Sequence, residues 1–173
     1  MRLYPIAQLL LTFALAACGD DRAADAPAEP LMAFDTATLR VASGADTAVL
    51  RVELATTDEQ RAMGLMERAS LPQDAGMLFW YPETQPDSGA FWMYRTRIPL
   101  DIAFVDSAGT IRAIHAMEPC TSPDSRWCPS YPAGAPFRGA LEVNRGYFAR
   151  RGIDVGDRLL LEEIGGPAGA GRP

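Results

Sequence analysis

The sequence predicts one mainly β domain, an antiparallel β-sandwich or irregular barrel with two short helices. Several short segments alternate apolar and polar side chains, which is typical of strands with one buried face. Turns that contain Gly or Pro separate these segments, and only two stretches carry helix start and stop signals. The chain has 173 residues, of which 48% are hydrophobic, so it is long enough to bury one core of its own.

A hairpin and a capped helix open the domain. Residues 39–41 and 49–54 are predicted strands, and residues 44–46 between them predict the turn. Thr57 is followed three residues later by Gln, which is the spacing of a capping box. We therefore predict a helix that begins after Thr57 and ends near Arg68.

Five further strands, a second helix and a last strand complete the predicted domain. The strands are residues 77–80, 91–94, 102–105, 111–114 and 140–143. The helix is residues 144–151, closed by Gly152, and the last strand is residues 158–164.

The first 17 residues, MRLYPIAQLLLTFALAA, have the composition of a secretory signal. Their apolar run is too short for a comfortable membrane span, which needs about 20 residues. The run ends in Leu15-Ala16-Ala17-Cys18, which resembles the lipobox of bacterial lipoproteins, so we expect acylation of Cys18. An ordinary cleavage site with an incidental cysteine is the alternative. By resemblance to the sorting pattern of Gram-negative lipoproteins, Gly19 rather than Asp after the cysteine favours the outer membrane, with the protein facing the periplasm.

The expected anchor is joined to the domain by a linker. Residues 18–32 are small, acidic and contain Pro, which predicts a flexible tether with a reach of roughly 20 Å. Residues 33–164 then form the globular domain. The tail, residues 165–173, is rich in Gly and Pro and is predicted to be disordered.

Charge excludes several classes of function. The formal net charge is −6, and removal of residues 1–17 takes away Arg2 and no acid, which gives −7. Such a surface argues against nucleic-acid binding, which needs basic patches. All 16 basic residues are Arg, so no Schiff-base or P-loop lysine is possible. We expect no cofactor.

Three stretches, residues 53–79, 91–104 and 141–157, resemble the family called domain of unknown function 192. The shared features include Gly64-Leu65-Met66, Gly76-Met77-Leu78-Phe79 and residues 98–101, IPLD. The resemblance spans roughly residues 36–164. It implies a small, mostly β, often exported protein without an established activity. One departure is Tyr94-Arg95, where the family often has Lys-Asn; Arg95 keeps the positive charge and loses the amide.

Cysteine and histidine usage favours structural roles. Cys120 and Cys128 flank seven loop-forming residues, and cysteines outside the cytoplasm persist mainly as disulfides, so we predict this pair. Redox activity or metal binding by the two is the alternative. His115 is the only histidine and stands on an apolar strand. Since a usual metal site needs several nitrogen or sulfur ligands, we expect no metal.

Five residues are candidates for a ligand-binding site. Alternation in strand 91–94 places Trp92 and Tyr94 on one face, which either packs in the core or lines a groove. Arg68, Thr96, Asp101 and Glu142 are polar residues within or beside the family-like stretches. Asp101 follows a rigid Ile-Pro-Leu turn, so it either caps the backbone or forms a paired site with Glu142 or Arg68.

Two functional hypotheses follow from these residues. The first is a non-catalytic ligand-binding or accessory domain at the cell envelope, and it is favoured because no nucleophile–base signature is present. The second is a hydrolase or lyase that acts on an envelope polymer with Asp101 and Glu142. A purely structural role is a third possibility. The expected partners are the membrane, through the lipid, and a small molecule or envelope polymer.

Overall fold

The computed structural model describes residues 32–160. The signal segment, Cys18, residues 19–31 of the tether and the tail lie outside the described residues. The strands are β1 (Asp35–Ser43), β2 (Asp46–Ala55), β3 (Ala75–Gln85), β4 (Ala90–Trp92), β5 (Leu100–Val105), β6 (Ile111–Met117), β7 (Ser130–Pro132), β8 (Phe137–Asn144) and β9 (Arg158–Leu160). The helices are α1 (Asp58–Met63), α2 (Tyr147–Arg151) and one 3₁₀ turn, Ser125–Trp127.

Seven of these strands form one curled sheet in the order β6-β5-β8-β3-β2-β1-β9. The sheet curls so that its two edge strands approach each other. Thr110, just before β6, pairs with Arg158 of β9. Strands β4 and β7 form a second, two-stranded sheet. The mainly β, barrel-like prediction is confirmed. One pairing departs from it, since β2 and β3 run parallel.

The opening hairpin forms where the alternation predicted it. Leu39, Val41, Leu50 and Val52 turn inward and are almost fully buried, while their neighbours face outward. Gly44 has a φ of +56° and makes the tight turn between β1 and β2. The middle of the hairpin therefore keeps one face apolar.

Helix α1 has the predicted start and an earlier end. Thr57 accepts a hydrogen bond from the Gln60 backbone, and the Gln60 side chain accepts one from Thr57, so the capping box is confirmed. The predicted end near Arg68 was wrong. Gly64, with a φ of +49°, takes the chain out of the helix directly after Met63. The residues that follow it are thereby free to line a pocket.

Apolar side chains cover both faces of the sheet. The first core contains residues such as Leu78, Val143 and Tyr147. The second, the aromatic core, lies on the opposite face and is built around Phe91 and Phe104, whose rings meet edge to face at 5.5 Å. No helix within residues 32–160 is long and apolar enough to cross a membrane.

Candidate functional site: a pocket over a buried carboxyl group

A pocket opens at the edge of the aromatic core, where the end of α1 faces β3 and β4. It has a volume of about 90 Å³, which is room for several water molecules or for one small ligand group. Half of its lining residues are aromatic or methionine side chains. The lining residues are Arg61, Ala62, Met63, Gly64, Leu65, Met66, Phe79, Tyr81, Ala90, Phe91, Trp92, Tyr94, Thr96 and Glu142. We call it the Glu142 pocket.

The aromatic strand forms the outer wall with the predicted alternation. Phe91 and Met93 are buried in the aromatic core, whereas Trp92 is 49% exposed. The Trp92 and Tyr94 rings are neighbours on the outer face, with centroids 5.8 Å apart. Strand β4 ends at Trp92, two residues earlier than predicted. Trp92 therefore lines the pocket and is not packed in the core.

Glu142 lies at the base of the pocket, in the middle of β8. It pairs with Met77 on one side and Ile102 on the other, so it shares their face of the sheet, that of the aromatic core. Only 4% of it is exposed. Within residues 32–160 its carboxyl group has no hydrogen-bond or ion-pair partner. Its oxygens are not among the fully buried side-chain atoms without a partner, so they open onto the pocket, where a ligand group can reach them.

The protonation of Glu142 follows from this burial. Burial away from water raises the pKa of the Glu142 carboxyl group to about 8, because desolvation disfavours the charged form. At neutral pH the group is therefore mainly a neutral acid with one O–H donor. Burial also raises the pKa of Tyr81, and the positive charge of Arg61 opposes this effect. The polar end of the pocket is thus a donor, and not a fixed negative charge.

Arg61 borders the pocket but is already engaged. Its Nη1 donates to the backbone oxygens of Thr56 and Trp80, at 2.6 and 2.9 Å, and its Nη2 pairs with Asp58 at 2.5 Å. Its guanidinium carbon lies 4.8 Å from the centre of the Tyr81 ring. These contacts fix the helix end against β3. Arg61 therefore acts as a wall of the pocket.

Thr96 closes the pocket on the side away from α1. It is buried, and its backbone N–H donates to Met93 at 2.9 Å, while its carbonyl accepts from Cys120 at 3.2 Å. Its hydroxyl group lies 3.5 Å from the carbonyl of Tyr94, which is a long distance for a hydrogen bond. The hydroxyl can therefore turn towards a ligand.

Two of the five predicted site residues lie elsewhere. Arg68 pairs with both carboxylate oxygens of Glu53, each at 2.5 Å. Asp101 accepts a hydrogen bond of 2.8 Å from the backbone N–H of Gly146 and lies 3.7 Å from the Arg145 side chain. Burial raises the pKa of Asp101, and these two contacts oppose that effect. Both residues serve as structural contacts here, and neither lines the Glu142 pocket.

Asp101 and Glu142 lie on opposite faces of the sheet. Asp101 pairs with Val143, a residue of the first core, whereas Glu142 pairs with Ile102 in the aromatic core. Paired residues on adjacent strands share a face, and successive residues alternate. The structure therefore does not bring the two carboxyl groups together.

The remaining sequence expectations concern Cys120, Cys128 and His115. A disulfide joins the two cysteines, as predicted, with their Cα atoms 5.7 Å apart. The His115 ring packs 5.7 Å from Phe104, and its Nε2 atom is buried without a hydrogen-bond partner among the described residues. Residues 32–160 contain no group of three or more His, Cys, Asp or Glu side chains that could hold a metal ion.

Comparison with known proteins gives the family of the chain. Residues 39–161 match the sequence profile of domain of unknown function 192, described as an uncharacterized ACR. The chain belongs to this family. No curated protein matches it. The resemblance inferred from the three sequence stretches is thus confirmed for the described domain.

Two solved structures are similar to this DUF192 domain. One is described as a candidate transcription regulator from Sinorhizobium meliloti 1021; it is 37% identical, with a TM-score of 0.64, over 74% of this chain and 95% of that one. The other is a protein of unknown function from Novosphingobium aromaticivorans DSM 12444; it is 35% identical, with a TM-score of 0.63, over 79% of this chain and 93% of that one.

Sequence reasoning missed much of the pocket wall in this DUF192 domain. Met63, Met66 and Phe79 read as ordinary apolar positions, and Tyr81 stands at the end of an apolar run. No local signal separates such residues from core residues. The early helix stop at Gly64 is the one feature that could have pointed to them, because it turns Met66 away from a helical path.

Proposed function

We propose that this DUF192 domain binds a small ligand in the Glu142 pocket and does so without catalysis. The observation that carries the proposal is the buried Glu142 carboxyl group, which has no partner within residues 32–160 and lies at the base of an aromatic pocket. A buried donor of this kind gains a hydrogen bond when a ligand enters. Ligand sites commonly combine apolar walls with a few polar groups.

The chemistry of the pocket defines the ligand class. Neutral Glu142 offers an O–H donor, so the matching group on the ligand is a carbonyl, ether or hydroxyl oxygen. Trp92 and Tyr94 offer ring faces against which a sugar or an unsaturated ring can stack. The volume of about 90 Å³ admits one edge of such a ring or the end of a chain. We infer a neutral, oxygen-bearing ring as the bound group.

Binding is favoured over hydrolysis by the surroundings of Glu142. General acid–base cleavage needs a second group to activate water or to attack. Glu142 is the only carboxyl group among the pocket-lining residues, and Asp101 lies on the opposite face of the sheet. The hydrolase hypothesis therefore lacks the pair on which it rested.

The proposed place of action is the cell envelope, with attachment through Cys18. This part of the proposal rests on the lipobox-like sequence and on the acidic linker that follows it. The transcription-regulator description of the Sinorhizobium protein does not carry over easily, because the net charge of −6 opposes contact with nucleic acid.

A fragment screen tests the proposal. Saturation-transfer NMR is run on wild type with neutral oxygen-bearing rings, namely lactones, lactams, phenols and simple sugars. We expect millimolar hits whose affinity falls about tenfold or more, equivalent to roughly 1.4 kcal/mol, in Trp92→Ala. Trp127→Ala is the matched control, since Trp127 is exposed and does not line the Glu142 pocket. Equal losses in the two variants, or no hits at all, would refute the proposal.

A further inference from the structure

A second pocket lies directly beside the first, on the far side of Tyr94. Its volume is about 260 Å³, and Tyr94 lines both pockets. In contrast to the Glu142 pocket, most of its other walls are charged or hydroxyl-bearing. The lining residues are Glu67, Tyr94, Arg95, Arg97, Thr121, Ser122 and Pro123. We call it the Arg95 pocket.

The charged groups of this pocket do not cancel. Arg95 Nε donates to Glu67 Oε1 at 2.6 Å, and Arg97 pairs with the other oxygen of the same carboxylate. The hydrogen bond from Arg95 is the chief reason that the pKa of Glu67 is lowered, so this carboxylate is ionised at neutral pH. Two guanidinium groups thus share one negative charge, and the pocket carries a net charge of +1.

Most donors of the two arginines are uncommitted. Among the contacts within residues 32–160, Arg95 uses only Nε and Arg97 only Nη2. The two side chains are 53% and 56% exposed, and both line the pocket. A guanidinium group presents five N–H donors in a planar fork, which matches the oxygens of a carboxylate or a phosphate.

The backbone around the pocket is held in an unusual conformation. Glu67 and Arg95 have φ values of +62° and +56°, and they are the only non-Gly residues with positive φ within residues 32–160. The backbone N–H of Glu67 donates to the carbonyl of Arg95 at 2.9 Å, so the two positions hold each other. Such strain is kept where the surrounding structure fixes it, and it clusters at binding sites.

The opposite wall is fixed by the disulfide. Thr121, Ser122 and Pro123 follow Cys120, which is bonded to Cys128 and whose N–H donates to Thr96. The Thr121 hydroxyl has no hydrogen-bond partner among the described residues and is available to a ligand. The pocket is therefore preformed on both sides.

We propose that the Arg95 pocket binds an oxyanion, either a carboxylate or a phosphate group, between Arg95, Arg97 and Thr121. Because Tyr94 separates the two pockets, one molecule can place a neutral ring over Glu142 and its anionic group at the arginines. The placement of a ring over Glu142 rests on the proposed function, whereas the oxyanion site does not. The ligand class is then a ring that carries an acidic substituent.

Titration with inorganic phosphate and with acetate tests the oxyanion site. The arginine Nε–H resonances are followed by ¹H–¹⁵N NMR at constant ionic strength, with chloride as the compensating anion. We expect saturable shifts of the Arg95 and Arg97 signals, and the relative affinities of the two probes separate a phosphate site from a carboxylate site. Arg95→Gln and Arg97→Gln should each weaken the stronger probe about tenfold.

Arg112→Gln is the matched control. Arg112 is 51% exposed and pairs with Asp106 at 2.5 Å, so this variant makes the same change of charge outside the pocket. Unchanged affinity in Arg112→Gln is expected. An equal loss there, or shifts that stay linear with anion concentration, would overturn the site. Trp92→Ala should leave phosphate or acetate binding unchanged. The experiment therefore distinguishes an error in the proposed ring site from an error in the proposed oxyanion site.

Discussion

Replacement of Glu142 by Gln should remove a steep pH dependence of stability. The folded-state pKa of about 8 lies above the ordinary value of 4.5, so folding at intermediate pH requires uptake of a proton. The wild type therefore loses stability as pH rises from about 4.5, by roughly 1.4 kcal/mol per pH unit, until the loss is complete above pH 8. The total loss is about 5 kcal/mol. Gln has nearly the same shape and does not titrate.

Urea unfolding at constant ionic strength, from pH 5 to pH 8.5, measures the effect. Over this range the unfolding free energy of Glu142→Gln should gain about 4 kcal/mol relative to wild type. Glu83→Gln is the matched control, because it removes a carboxylate that is exposed on β3 and not buried. If the difference in unfolding free energy between Glu142→Gln and wild type stays constant from pH 5 to pH 8.5, Glu142 is not a desolvated, unpaired acid.

Three further predictions concern the structural residues and the anchor. Loss of the disulfide in Cys120→Ser/Cys128→Ser should lower the unfolding free energy by roughly 2.5 kcal/mol, measured by urea unfolding, and an unchanged value would contradict a native link. Asp101→Ala should lower the unfolding free energy by about 1–3 kcal/mol in the same assay, because the Gly146 N–H loses its acceptor. An unchanged unfolding free energy would mean that Asp101 does not stabilise the fold. Cys18→Ser should move the protein from the membrane fraction to the soluble fraction, and unchanged fractionation would exclude lipid attachment there.

Features that depend on neighbouring residues could be predicted from the sequence. The β1–β2 hairpin, the capping box at Thr57 and the alternation around Trp92 each follow from a period or a spacing within about ten residues. The disulfide followed from the expected compartment and from the composition of the loop. For each of these features, the local sequence pattern and the burial of the side chains predict the same structure.

Features that depend on long-range pairing could not be predicted. Whether Asp101 and Glu142 share a face is set by the register of β5 against β8, and a shift of one residue would reverse it. The parallel pairing of β2 with β3 is likewise absent from any local pattern. Three of the five predicted site residues, Trp92, Thr96 and Glu142, do meet in one pocket.

The central claim is that a ligand group enters the Glu142 pocket and meets its carboxyl group. Methyl ¹³C NMR of methionine tests it most directly, since Met63 and Met66 line the pocket, whereas Met117 is fully buried and does not. On addition of a neutral ring hit, we predict saturable shifts of Met63 and Met66, an unmoved Met117, and weaker binding in Glu142→Leu, which removes the donor. Binding that leaves Met63 and Met66 unshifted, or that is equally strong in Glu142→Leu, would contradict the account.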